Sequence, residues 1–268
     1  MTFLEVQDKI NHIKKNYGRL TSNILLPNVR EAEIEQVFEN EKALVFTVNE
    51  PYRKRGYFAG ADVQSLSDVL QKLPKDTVVE YLFRRENDMK KCFEIGGLKE
   101  YACYIRRTWV YTANPYEVPE TGRRRLLQEL YDPNFGEYAQ MSDVDELYNL
   151  VKDIFDPVCD DIFTPEHWQE IINNKECLLY RENGEIITFY VWRYEGRKLY
   201  NNMTVNLGPA NYLYNLERRV FDEKWQWGNR VYYAWVNMNN QRSLKRENHK
   251  IGDALKSVEV VYDGIYIK

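Results

Sequence analysis

The stretch from Glu176 to Val205 narrows the possible folds more than any other part of the chain. Three strand-length runs rich in aromatic and β-branched residues, Glu176 to Arg181, Glu185 to Tyr194 and Lys198 to Val205, are separated only by Asn183-Gly184 and Glu195-Gly196. An Asn-Gly pair between two such runs signals a hairpin, because both residues tolerate the positive φ that tight antiparallel turns demand. The segment therefore builds strands that neighbour one another in a sheet, and the flanking elements have to pack against that sheet.

Helices are expected before and after it. Met141-Ser142-Asp143 supplies cap chemistry for a helix that puts Val144, Leu147, Leu150, Val151 and Ile154 on one stripe. Thr164-Pro165-Glu166 starts a second helix with a cap and a first-turn proline, and Trp168, Ile171 and Ile172 form its apolar face. Beyond Val205, Gly208-Pro209 breaks the strand, and Asn211 to Trp225 is helical with Leu213, Leu216, Val220 and Phe221 inward. A strand from Arg230 to Asn237, a helix from Asn240 to Lys250 and strands Ala254 to Val261 and Gly264 to Ile267 finish the chain. With a short strand at Glu137 to Gln140, the order is β-α-α-β-β-β-α-β-α-β-β, an α+β (mixed α/β) arrangement.

The N-terminal part repeats the later portion of this scheme in shortened form. A helix from Phe3 to about Asn16 precedes strands at Ile34 to Phe38 and Ala43 to Val48. A helix carrying Val63, Leu66, Val69, Leu70 and Leu73 follows, then a strand Thr77 to Phe83, a helix ending at Ile95-Gly96 and a strand Tyr101 to Trp109. The echo of helix, Ile-Gly and strand in both parts suggests two related units in tandem. A Pro/Gly-bearing segment from Asn114 to Gly136, with a helical turn near Arg124 to Leu130, separates them.

Composition bounds the function. The chain has 268 residues, 44% hydrophobic and 29% charged, which suits two globular domains. A net charge of −4 argues against a duplex nucleic-acid binder, whose footprint is a surplus of Lys and Arg. Cys92, Cys103, Cys159 and Cys177 are scattered without a C-x-x-C pair, which fits a reduced, cytoplasmic setting. No apolar run nears the ~18 residues of a membrane span, and neither a signal peptide nor a membrane partner is expected. The three histidines, His12, His167 and His249, lie far apart in sequence, so no metal site is expected.

Two segments carry the chemistry. Asn206-Leu207-Gly208-Pro209-Ala210-Asn211-Tyr212 joins a strand to a helix, where backbone N–H groups and the helix N-terminus can hold an anion. It also reads as a plain turn in which Asn211 caps the helix. Trp235-Val236-Asn237 followed by Asn240-Gln241-Arg242-Ser243 is a strand leading into a helix through an Asn-rich turn. With the element order, these segments make the C-terminal half similar to the GNAT superfamily of N-acyltransferases over its whole length.

That resemblance implies two tandem GNAT-like domains, each a mixed, mainly antiparallel sheet flanked by helices. Residues 1–115 would form a degenerate copy, 116–132 a linker and 133–268 the acyltransferase unit. It implies an acyl-coenzyme A, most simply acetyl-coenzyme A, as co-substrate and a small-molecule or peptide amine as acceptor. The thioester would lie beside Met203 and Val205, the pyrophosphate on Leu207, Gly208, Ala210, Asn211 and Tyr212, and the pantetheine arm near Asn240 and Ser243. Trp168, Tyr190, Trp192 and Tyr200 are the expected walls of the acceptor pocket; alternation along a half-buried sheet accounts for the same residues without a ligand.

The sequence departs from the family at the acid. Family members usually carry a Tyr or His on the helix that starts here at Asn240, and then K-x-G-F; this chain has one residue too many, no Tyr, and Asp253 where Phe is expected. Glu247 and His249 are the candidates to replace it, or else charges on a surface helix. Glu166 and Glu185 are candidate bases of the same kind. The phosphate loop lacks the leading Gln or Arg of the family pattern, and Pro209 removes a donor. Two other readings stay open: a catalytically silent GNAT-like binding or assembly protein, and a relative that takes an aminoacyl-tRNA donor. The glycines of Val48 to Gly60 imitate a phosphate loop, but their spacing reads as a hairpin strand.

Overall fold

The computed structural model describes residues 2–24, 33–84, 89–111, 114, 116, 122–225, 231–249, 255–257 and 260–268, with the backbone alone for 122–124, 224–225, 246–249 and 255–257. The N-terminal block opens with helix α1 (Phe3–Tyr17), started by a capping box between Thr2 and Glu5. Next come β1 (Thr21–Ser22), β2 (Ile34–Glu39), β3 (Ala43–Asn49), β4 (Lys54–Gly60), α2 (Val63–Leu70), β5 (Thr77–Phe83), α3 (Met89–Ile95) and β6 (Lys99–Tyr111). The glycines of the segment that imitates a phosphate loop lie inside β4, as the hairpin reading expects.

Helix α4 (Gly122–Glu129) leads to β7 (Glu137–Tyr138), a 3-10 turn at Met141–Asp143, α5 (Val144–Ile154) and α6 (Pro165–Asn173). Then follow β8 (Cys177–Glu182), β9 (Glu185–Glu195), β10 (Lys198–Asn206), α7 (Ala210–Trp225), β11 (Val231–Asn237), α8 (Gln241–His249), β12 (Leu255–Ser257) and β13 (Val261–Ile267). Asn183 and Gly184 adopt φ of 54° and 89°, the left-handed pair that closes the β8–β9 hairpin. Strand β7 stops earlier than expected because the Asp143 carboxylate accepts the Gln140 N–H at 2.7 Å and turns the chain into α5. Asn211 is the second residue of α7 rather than its cap.

All the strands join one sheet in the order β2-β3-β4-β5-β13-β6-β11-β10-β9-β8-β7, with β1 beside β4 and β12 beside β6. The two blocks expected on either side of the linker do not close as separate sheets. The last strand of the chain, β13, lies between β5 and β6, while β6 crosses to pair with β11. Each block thus lends its final strand to the other.

Two apolar layers flank the C-terminal part of the sheet. Helices α5 and α6 cover one face through Val144, Leu147, Val151, Trp168 and Ile171, against Phe189, Val191, Met203 and Val205. Helix α7 covers the other through Leu213, Leu216, Val220 and Phe221, against Tyr190, Trp192, Leu199, Tyr232 and Ala234. This two-sided burial explains why β9 reads as a near-continuous apolar run.

Candidate active site

Pairing in this sheet is antiparallel except at two places, β4 with β5 and β10 with β11. Both are short. Strands β10 and β11 pair over Lys198–Asn201 and Val231–Ala234, then separate. A bulge at Asn202 shifts the register of β10 against β9 at the same level, which bends β10 away from its parallel neighbour. The vertex of the resulting V is pinned by a buried relay in which Asn201 Nδ2 donates to the Tyr232 hydroxyl at 2.9 Å and that hydroxyl donates to Glu217 at 3.3 Å. One residue each from β10, β11 and α7 is tied together there.

The V opens into a cavity of about 1590 Å³ that reaches both faces of the sheet. Its walls include residues 200–207 of β10 and the following turn, residues 233–237 of β11, and Leu213, Tyr214 and Glu217 of α7. At one end it meets Ala210 in the first turn of α7 and Asn240, Arg242, Ser243 and Lys245 at the start of α8. At the other it meets Glu80, Asp160, Asp161 and Asp263. The start of α8 thus brings cations and a helix N-terminus to the cavity, while the carboxylates of the other end share it with Arg53 and Arg193.

Backbone geometry gives the V a polar edge. The Leu207 N–H bonds Ile187 O of β9 at 2.9 Å, so strand alternation turns Met203 and Val205 toward β9 as well. The N–H groups of Thr204 and Asn206 consequently point toward β11, where pairing has already ended. Donors aimed into a cleft are what a developing oxyanion requires.

The strand-to-helix turn is tightly built. Gly208 has the Tyr212 ring within 2.6 Å of where a Cβ would sit, its N–H is taken by Asn206 Oδ1 at 3.2 Å, and Asn206 Nδ2 donates to Pro209 O at 3.1 Å. What remains for an anion is the first turn of α7, where Ala210 and Asn211 have no intrahelical acceptor. The Asn240 side chain accepts the Ser243 N–H at 3.0 Å and so caps α8, aiming that helix start at the cleft.

The same wedge exists at β4 and β5, and there it is filled. Pairing stops after Gly56 and Val79, and β1 then runs along β4 with Thr21 and Ser22 opposite Gly60 and Ala59. Asn23 closes the vertex: its Nδ2 donates to Gly56 O at 3.1 Å and Glu80 O at 2.9 Å, and its Oδ1 accepts the Phe58 N–H at 2.7 Å. The helix that follows, α2, is capped by the Asp62 carboxylate, an anion where a phosphate would need to bind.

Of the residues expected to hold the coenzyme, Met203, Val205, Leu207, Ala210, Asn240 and Ser243 line the cavity; Gly208, Asn211 and Tyr212 shape the turn without lining it. Tyr200 also lines the cavity, stacked on Tyr233 at 4.5 Å, and burial pushes both phenols above their usual range. Trp168, Tyr190 and Trp192 do not line the cavity; all three are buried core residues. Trp168 packs edge-on against Phe163 and Phe189 under α5 and α6, and Tyr190 and Trp192 alternate to the α7 face. The side chains of Glu247 and His249 lie outside the described residues. Glu166 and Glu185 are exposed and away from the cavity.

Sequence reasoning missed Glu217, Arg242, Lys245 and the four carboxylates of the acidic end. Arg242 and Lys245 had a local signal, two cations three residues apart just after an Asn cap. The carboxylates come from β5, the α5–α6 loop and β13, which no spacing in the sequence connects. Among the described residues, no group of three or more His, Cys, Asp or Glu is placed to hold a metal ion, and no helix is long and apolar enough to cross a membrane.

Comparison with protein-family models and with curated protein sequences gives no significant match. Solved structures do match. A GCN5-related N-acetyltransferase from Sphaerobacter thermophilus is similar with a TM-score of 0.50 at 14% identity, over 84% of this chain and 76% of that one. A GNAT-family acetyltransferase from Colwellia psychrerythraea matches over 98% of this chain and 96% of its own, at 10% identity and a TM-score of 0.49. A GNAT-family acetyltransferase from Novosphingobium aromaticivorans matches over 84% and 88%, at 9% identity and a TM-score of 0.49. At 14% identity the likeness to the Sphaerobacter structure speaks for the fold alone: the chain has a GNAT-like fold, a mixed, largely antiparallel sheet flanked by helices.

Proposed function

We propose that the protein is an acyl-coenzyme A-dependent N-acyltransferase, acetyl-coenzyme A being the simplest donor, with its active cleft between β10 and β11. The observation that carries this reading is the open V after Asn201 and Ala234, continuous with a cavity that ends on two helix N-termini and two cations. The pantetheine arm would thread the V. The pyrophosphate would rest on the first turn of α7, with Arg242 and Lys245 beside it. The Thr204 N–H would hold the thioester carbonyl oxygen as it becomes an oxyanion. A neutral amine, having given its proton to a carboxylate or to water, attacks the carbonyl carbon; the C–N bond forms, the C–S bond breaks, and the thiolate leaves and is protonated. The block with β4 and β5 is a degenerate unit of the same design, kept for its fold.

Calorimetric titration with acetyl-coenzyme A tests the reading. One molecule should bind per chain, and Gly208→Glu, which pushes a side chain into the Tyr212 ring and adds an anion, should abolish binding. No detectable binding to the unmodified protein overturns it.

A second reading, a silent GNAT-like assembly protein, draws support from the reduced donor set of the phosphate turn, where Pro209 has no N–H and Gly208 has spent its own. Thermal melts with a series of acyl-coenzyme As separate the two, because only a cleft that binds gives ligand-linked stabilisation.

A further inference from the structure

The hairpin that imitates a phosphate loop carries three successive cations, Arg53, Lys54 and Arg55, where β3 turns into β4. The turn is closed by the Glu50 N–H on Arg53 O at 2.9 Å. The Glu50 carboxylate then accepts the Arg53 Nε–H at 3.0 Å and pairs with Arg55 at 3.0 Å. Fixed at that end and 8% exposed, the Arg53 side chain sends its two terminal nitrogens out of its own block.

Both land on the loop between α5 and α6. Nη1 donates to Val158 O at 3.0 Å and Nη2 to Asp161 Oδ1 at 2.6 Å, across more than a hundred residues of chain. The adjacent Tyr52 hydroxyl meets that of Tyr148, on α5, at 2.6 Å. Two tyrosines of β6 complete the hold: Tyr101 donates to Asp156 and Tyr104 to Asp160, each at 2.5 Å. A planar guanidinium with its donors committed in fixed directions sets the position of what it binds, as a lysine ammonium does not.

The loop matters because of where it stands. Phe155, Cys159, Asp160, Asp161 and Phe163 line the cavity, as does Arg53 itself, and Phe163 packs in the same layer as Met203 and Val205 of β10. It has no helix or strand of its own. Residues 156–160 are knit by Asp156 O, which accepts the Cys159 and Asp160 N–H groups at 3.1 and 2.8 Å, whereas the Asp161 carboxylate is held by Arg53, with Arg55 at 3.7 Å. A coenzyme whose pyrophosphate rests at the starts of α7 and α8 leaves this loop as the wall facing the thioester from the other end.

We propose that Arg53 is a positioning residue for the transferase cleft: from the first block it fixes the α5–α6 loop as the wall opposite the coenzyme. The proposal rests on the transferase reading for what the loop faces and on the clamp alone for what holds it. The first block then contributes to the site as well as to the fold.

Amide hydrogen exchange of residues 155–163, read by mass spectrometry with and without acetyl-coenzyme A, is the test. Arg53→Ala should exchange there about tenfold faster than the unmodified protein, because the loop loses the bonds that tie it to the sheet. Asp161→Asn changes only the exposed far end of the clamp and should raise the rate about threefold without threatening the fold. Lys54→Ala, which breaks an ion pair with Glu35 at 2.7 Å in the same hairpin, should leave the loop unchanged. Acetyl-coenzyme A should slow exchange of the loop about fivefold in the unmodified protein and not in Arg53→Ala, while its affinity by calorimetry stays within about twofold. A loop protected alike with and without Arg53, a loop loosened as much by Lys54→Ala, or coenzyme that binds without altering the loop overturns the proposal and leaves the transferase reading standing. If no coenzyme binds, the transferase reading falls and the positioning role with it, even where the exchange rates keep the clamp.

Discussion

Asp263 shows how a residue can be well defined in the fold and invisible in the sequence. Asp263-Gly264 is a strong turn signal, so sequence reasoning ends one strand at Val261 and begins another at Gly264. In the structure the strand runs straight through, because pairing with β5 on one side and β6 on the other outweighs the local preference. The resulting carboxylate has a measurable signature. Its pKa is raised in the folded state, so the native protein holds its proton more tightly than the unfolded chain does. Stability is then retained below the ordinary aspartate value, about 4, and lost as pH rises from there toward the raised value. Glu80, Arg55, Asp161 and Tyr104 surround the group, and only the variant at 263 removes its own titration. Asp263→Asn should melt higher than the unmodified protein at pH 7, by a margin that shrinks toward pH 4. Equal melting temperatures across that range contradict the account. A residue that costs stability and is nonetheless placed in a cavity wall is one expected to serve binding.

At the scale of elements, most of the architecture was legible because it is written in local patterns. The Thr164-Pro165 start of α6, the Asn183-Gly184 hairpin and the inward face of α7 each depend on residues within one or two turns of each other. The state of the two wedges was not legible. Whether β4 and β5 enclose a cleft depends on β1 and Asn23, which lie more than thirty residues upstream of β4 and are too short a strand to leave a periodic signal. Large aromatics misled for a related reason: Trp168, Tyr190 and Trp192 look like pocket walls until helices on both faces are seen to bury them. Asn23 makes three side-chain hydrogen bonds that bridge β4 and β5, two buried and the one to Glu80 O partly buried, each worth about 1 kcal/mol. Asn23→Ala should therefore lower stability by about 3 kcal/mol in urea unfolding and leave acetyl-coenzyme A affinity within about twofold, since the plug lies in the other wedge. A large loss of affinity with little loss of stability would place the coenzyme in the wrong half of this account.

For the molecule as a whole, the exchange of β6 and β13 matters most. A chain whose last strand completes its first block cannot be divided at the linker without leaving both sheet halves open at an edge. The sequence marks the linker by its prolines and glycines but carries no mark of the exchange, because strand pairing between segments so far apart in the chain leaves no local pattern. Unfolding should be a single calorimetric transition, and removal of residues 261–268 should leave the protein unable to fold, as read by circular dichroism and size exclusion. Two separate transitions, or a folded truncated chain, contradict the exchange as an energetic link. It also follows that the acidic end of the cavity, assembled from β5, β13 and the α5–α6 loop, exists only in the full chain. The most direct test of the central claim is a crystal structure of the protein grown with acetyl-coenzyme A. The account predicts the thioester between residues 202–205 of β10 and 235–237 of β11, with the pyrophosphate on the first turn of α7. Coenzyme bound at the β4–β5 wedge, or an empty β10–β11 cleft at saturating coenzyme, contradicts it.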